Sequence, residues 1–143
     1  MMFDEVLPQL NYGIIFLAAA ASFVVGALWY SPLILGKEWL KEMNMTEEDI
    51  KKKGAGEMNL IYLMAFVQTL LKALFLAILF RMLGVSNVYL GTYLGLFVCV
   101  GFTATSIGVN YLFEDKSMEV TWISVSHHMA AFMAMGAILG MWG

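Results

Sequence analysis

From Leu60 to Leu83 the chain reads LIYLMAFVQTLLKALFLAILFRML, an apolar run with Lys72 near its middle. An apolar stretch of about 20 residues crosses about 30 Å of hydrocarbon when helical. It must be helical there, because an unpaired strand in lipid leaves its backbone groups unsatisfied. Lys72 lies about twelve residues from either end of the run. At about 1.5 Å per residue its α-carbon is then about 18 Å from each interface. A lysine stem of about 6 Å cannot snorkel that far. A charge at a helix centre costs about 2.5–3.5 kcal/mol on insertion scales, so either a partner offsets that cost or the amine is neutral.

Three further runs of the same kind flank this one, at Asn11–Tyr30, Tyr89–Phe113 and Val120–Trp142. They carry a composition of 61% hydrophobic and 13% charged residues in a chain of 143. The expectation is an all-α membrane protein, a four transmembrane helix bundle forming a single integral membrane domain over residues 1–143. It would be multi-pass in the cell (inner) membrane, with the lipid bilayer as its first partner. The stretch MMFDEVLPQL has two acids and no Lys or Arg, and no small-residue cleavage pattern follows the first apolar run. That run therefore reads as a retained span rather than a signal peptide. Cys99 is the single cysteine, which excludes a disulfide framework, a CxxC redox site and a cysteine-based zinc site within one subunit.

Basic residues set the expected orientation. Lys37, Lys41, Lys51, Lys52 and Lys53 lie between spans one and two, and Lys116 between spans three and four, against Arg81 alone on the other side. Six against one places both loops in the cytoplasm and both termini outside. The aromatics agree: Trp29, Tyr30, Tyr62, Tyr111 and Trp122 mark one interface, and Tyr12, Tyr89, Tyr93 and Trp142 the other. Within the first loop, PLILGKEWLKEM from Pro32 puts Leu35, Trp39, Leu40 and Met43 on one side and charges largely on the other. It is too short to span and reads as an interfacial amphipathic helix in the first cytoplasmic loop. Thr46 with Asp49 resembles a capping box for a short helix ending at Gly54. The tight loops at Gly84–Val88 and Glu114–Glu119 predict that spans two and three, and spans three and four, pack as antiparallel neighbours.

Small residues recur about every four positions: Ala18, Ser22 and Gly26; Ala65, Thr69, Ala73 and Ala77; Gly91, Gly95 and Cys99; Ala130 and Ala134, then Gly136 and Gly140. Such ridges let backbones approach closely where no hydrophobic effect drives association. Packing inside the bundle is the plainer reading. Four ridges also leave room for a homo-oligomer or a larger membrane complex.

Placed on a common depth scale of about 1.5 Å per residue, Ser22, Gln68, Thr105, Ser106 and His128 fall about 10–12 Å below the cytoplasmic interface. Ser124, Ser126 and His127 lie slightly shallower, and Lys72 about 6 Å deeper. Gln68 and Lys72 are an i, i+4 pair, and Ser124, His127 and His128 share one face of the fourth span. Lys72, Gln68, His127, His128, Ser106 and Ser124 are thus the candidate pocket residues. No Asp or Glu lies inside any apolar run to pair with Lys72. Two histidines near a lysine are ingredients of a proton relay or an anion pocket. Each also has a plainer reading: a span Ser or Thr bonds its own backbone, paired histidines pack, and Lys72 bonds carbonyls or a partner subunit.

No metal or cofactor is expected. Adjacent histidines point about 100° apart on a helix and no third deep ligand exists. The twelve methionines read as filler of apolar cores. Nothing matches a nucleophile–base–orienter set, so no enzyme is expected, and nothing points to nucleic acid.

The segments GALWYSPLILGKEWLKEM (Gly26–Met43), TEED (Thr46–Asp49), VNYLFE (Val109–Glu114) and GAILGMW (Gly136–Trp142) together resemble the bacterial and archaeal membrane-protein family called domain of unknown function 1761. The WYSP turn followed by GKxW is the most specific part, and the resemblance runs from Asn11 to Trp142. It implies a four-span bundle and no assigned activity. Two functional classes stand on the residues: a cytoplasm-facing polar pocket that binds or conducts a small solute, anion or proton, and a non-catalytic accessory subunit docking through its small-residue faces, with Lys72 pairing a partner's acid.

Overall fold

The computed structural model describes residues 2–143, which form helices with no strand among them. Short α1 (Met2–Val6) leads through a 3-10 turn into α2 (Tyr12–Trp29). The first loop holds α3 (Gly36–Glu42) and α4 (Glu47–Lys51), followed by the long α5 (Ala55–Leu83). The third span is α6 (Val88–Val98), a π-helical turn over Cys99–Ala104 and α7 (Thr105–Phe113), and α8 (Met118–Trp142) closes the chain. Four helical stretches, Tyr12–Trp29, Ala55–Leu83, Val88–Phe113 and Met118–Trp142, are long and apolar enough to cross a membrane.

Side-chain caps fix where these helices begin. Asn11 accepts the Ile14 N–H at 3.2 Å, Asn87 the Leu90 N–H at 2.8 Å and Ser117 the Val120 N–H at 3.2 Å. Each satisfies a donor that the first helical turn leaves orphaned. Thr46 and Asp49 make both halves of a capping box. Gly84 ends α5 in the left-handed region at φ 70°, where a side chain would be strained. The helix starts at Ala55, five residues before the apolar run. Hydrophobicity marks where hydrocarbon begins, whereas the hydrogen-bond ladder extends into water: 29 residues make about 44 Å of helix, more than the bilayer core needs.

The spans are ordered two, one, four, three. α8 packs most extensively on α6 and on α2, and α2 packs on α5. The most apolar window of α8 is 44% buried, against 6% for the third span, so α8 is the central helix. The expected packing of spans three and four is present. That of spans two and three along their lengths is not: a tight loop guarantees proximity at the loop, not along the helices.

The bundle is closed in one half and open in the other. In α5 every buried residue lies at or beyond Ala73, and in the third span at or before Cys99. These residues meet in one core with Ala18, Ala19, Phe132, Met135 and Leu139. Toward the loop end, where the Ser31–Gly54 connection lies, residues 60–65 of α5 and most of α7 are exposed. In the closed half α6 and α8 approach through glycine. A Cβ on Gly136 would fall on the Gly91 carbonyl oxygen, and one on Gly91 would lie 2.9 Å from the Gly140 α-carbon. Gly95 backs onto the Phe132 carbonyl and Gly136.

Candidate functional site

Lys72 sits at the boundary between the two halves, next to buried Ala73 on its own helix. Its ammonium lies 5.5 Å from the ring centroid of Phe132, within the range of a cation–π contact. Cys99, where the π turn begins, is within electrostatic reach of it, and so are His127 and His128. Ser124, His128 and Phe132 follow each other at i, i+4 spacing on α8, so one stripe of the central helix runs toward Lys72.

The histidines pack ring against ring, with centroids 4.7 Å apart. His127 also meets Tyr30 edge-on at 5.1 Å. Gly26 makes room for it: a Cβ there would come within 2.9 Å of the His127 Nε2. The Nδ1 of His127 and the Nε1 of Trp29 are buried and make no hydrogen bond among the described residues. Ser124 is 6% exposed and accepts a bond from the Tyr111 hydroxyl at 3.5 Å, with Tyr30 also in hydrogen-bonding reach. The result is a column of polar side chains from Tyr30 and Tyr111 through Ser124 and the histidine pair to Lys72.

The outer end of this column opens into a cavity of about 680 Å³ between the loop helices and the starts of the spans. Tyr30, Trp39, Tyr62 and Tyr111 line it, with Lys37, Lys51 and Glu47 contributed by α3 and α4. The loop helices are held over it by Gly36, buried against the Tyr30 and Ser31 backbone, by the Tyr30–Trp39 ring contact at 5.9 Å, and by the Ser117 hydroxyl donating to Glu42 at 3.1 Å. The cavity stops at Ile61 and Tyr62 on α5, about 15 Å short of Lys72 at about 1.5 Å per residue.

Of the six pocket residues expected from sequence, the structure brings together Lys72, His127, His128 and Ser124. Gln68 is exposed on α5, one turn outside the closed half. Ser106 is exposed and donates to the Phe102 carbonyl of its own helix at 2.6 Å. The π turn explains its position. Extending the buried stripe Gly91, Gly95, Cys99 at 3.6 residues per turn would bring Ser106 inward. A π turn inserts one residue, so the less exposed positions after it are Thr103, Ala104, Ile107, Gly108 and Tyr111. Hydroxyls help to form it: Thr105 donates to the Gly101 carbonyl at 3.0 Å, and Ser106 to Phe102, competing with the backbone ladder.

The small-residue positions divide in the same way. Gly91, Gly95, Gly136, Gly140 and Ala73 are buried between helices, Thr69 is half-buried with its hydroxyl on the Ala65 carbonyl at 2.8 Å, and Ala65 is exposed. Sequence reasoning took Tyr30, Tyr62 and Tyr111 as interface markers and missed that they line a shared cavity. Their common depth was the available signal. It missed Phe132 too, although this residue continues the Ser124–His128 stripe. Among the described residues no group of three or more metal-ligating side chains converges.

Neither the curated proteins nor the solved structures contain a match to this chain. One family model matches residues 14–140, nearly the whole chain and all four spans. The chain therefore belongs to the family described as protein of unknown function DUF1761.

Proposed function

We propose that the protein is a membrane-embedded binder of a small anion, taken up from the loop end and held at the inner end of the polar column by Lys72, His127 and His128. The observation that carries this reading is that Lys72 rests against a ring rather than an acid. A desolvated cation–π contact contributes about 0.5–2 kcal/mol, against about 2.5–3.5 kcal/mol for placing the charge at mid-helix. The remainder falls to whatever enters the column. Three basic groups without a carboxylate favour an anion, bound together with the protons that keep those groups cationic. Beyond Lys72 lies the apolar closed half, with Phe132, Met135 and Leu139 at its core, so binding is favoured over passage through the bundle.

The test is a thermal-shift titration of detergent-solubilised protein with chloride, acetate and phosphate at constant ionic strength, in wild type and Lys72→Met. Wild type should gain stability with at least one anion, reaching about 2.7 kcal/mol at a hundred times the dissociation constant, and Lys72→Met should not. The reading fails if no anion separates the two proteins. If Lys72→Met instead breaks co-purification with another membrane protein, the lysine belongs to a docking surface and the protein is an accessory subunit.

A further inference from the structure

The cavity at the outer end of the column has a lining that the anion reading does not use. It lies about 15 Å along α5 from Lys72, and its volume of about 680 Å³ falls within the usual range of small-ligand sites. Its charges are all on the loop helices, Lys37 on α3 and Glu47 and Lys51 on α4, whereas Ile61 and Tyr62 of α5 form its inner wall. Below Ile61 the surface of α5 continues apolar and exposed, through Leu63, Met64 and Val67. The cavity thus has cations, an acid and aromatic rings at one end and opens onto a hydrocarbon-compatible strip at the other. A small soluble anion would need no such strip.

We infer that this cavity seats a phospholipid whose headgroup carries an amine. The phosphate lies between Lys37 and Lys51, the ammonium faces Glu47 and the faces of Tyr30 and Trp39, and an acyl chain runs down the exposed strip of α5. Lysines suit a phosphate as point charges, and aromatic faces with a carboxylate suit an ammonium. Two cations and one carboxylate match one phosphate and one amine better than they match an anionic headgroup without the amine. The boundary between charged and apolar lining coincides with Leu60, where the apolar run begins, the depth at which a headgroup meets its acyl chains. This site is separate from the Lys72 site and stands or falls without it.

The experiment is native mass spectrometry of the full chain released from nanodiscs of equal phosphatidylethanolamine and phosphatidylglycerol. Wild type should retain mainly the ethanolamine lipid. Lys37→Ala with Lys51→Ala should lower retention by about thirtyfold, about fivefold for each lysine lost near a phosphate. Glu47→Gln should shift the retained lipid toward phosphatidylglycerol. The matched pair Lys52→Ala with Lys53→Ala removes the same charge from the same loop outside the cavity and should leave retention within about twofold of wild type. Equal losses from both lysine pairs would mean surface electrostatics alone and overturn the site. A wild-type preference for phosphatidylglycerol would overturn the headgroup assignment.

Discussion

Deleting Gly101 tests the reading that the π turn decides which residues of the third span face the column. A π turn differs from an α turn by one inserted residue, so removing one residue within Cys99–Ala104 should restore a regular α-helix. Every side chain after the deletion then rotates by about 100° and advances by about 1.5 Å relative to α6. With the Tyr111 ring about 5–6 Å from the helix axis, that rotation carries it about 8 Å sideways, and its 3.5 Å contact with Ser124 is lost. Ser106 takes its place on the α8-facing stripe. The closed half stays intact, because Gly91 and Gly95 precede the deletion and Gly136 and Gly140 remain opposite. The assay is oxidative cross-linking of the pair Tyr111→Cys and Ser124→Cys in a Cys99→Ser background, with and without Gly101. The pair should cross-link in the parent register and fall to background in the deletion, while the pair Ser106→Cys and Ser124→Cys does the reverse. Persistent cross-linking through position 111 in the deleted chain would refute the register argument. Gly101 has open space in front of it, so removing it takes away no packing contact.

Two further expectations rest on other parts of the fold. Gly136→Ala must push α6 from α8, because its Cβ meets Gly91 backbone. Gly108→Ala gains the same helix propensity into open space, so the variants should differ by about 1–3 kcal/mol in unfolding stability; equal midpoints in a detergent unfolding titration would show that the glycine seam is not tight. At the loop, the Thr46 backbone N–H and then its hydroxyl hold the Asp49 carboxyl below the usual carboxylate range. A lowered folded value means that this cap is present above about pH 3.9 and is lost as pH falls through the folded value. Hydrogen-exchange protection of Ile50–Lys52 should therefore drop in that acid window in wild type and be low and flat with pH in Asp49→Asn.

The four long helices were legible in the sequence because hydrocarbon imposes both length and apolarity on a helix, and Leu60–Leu83 shows both. Capping was legible for the same reason: Thr46 and Asp49 act through local spacing. Ser124, His127 and His128 were legible as one face because α8 is an unbroken helix, so 100° per residue holds along it. Ser106 was not, because a single π turn resets the phase and nothing in a period of 3.6 announces it. Gln68 was placed beside Lys72 correctly along the helix, yet one turn separates a half-buried residue from an exposed one. That difference depends on where α5 parts from the third span, which is a property of two helices rather than one. The helix order was hidden for a similar reason. Loop length reports which ends meet, and only the opposed glycines of α6 and α8 decide which faces close.

The position of Lys72 follows from the same division. On the closed side, Ala73, Ala77, Gly91 and Gly95 permit close approach, and the space between helices holds Phe132, Met135 and Leu139. A lysine one turn deeper would lie in that packed core with no polar neighbour. One or two turns shallower, at the exposed level of Gln68 or Ala65, it would face the open side of α5, away from the histidines. At position 72 its stem packs against the closed half while its ammonium reaches the Phe132 ring and the field of His127 and His128. The lysine therefore occupies the level at which a cation can be sheltered from lipid without being enclosed by core, and that level is set by where the glycine and alanine seams of the neighbouring helices end.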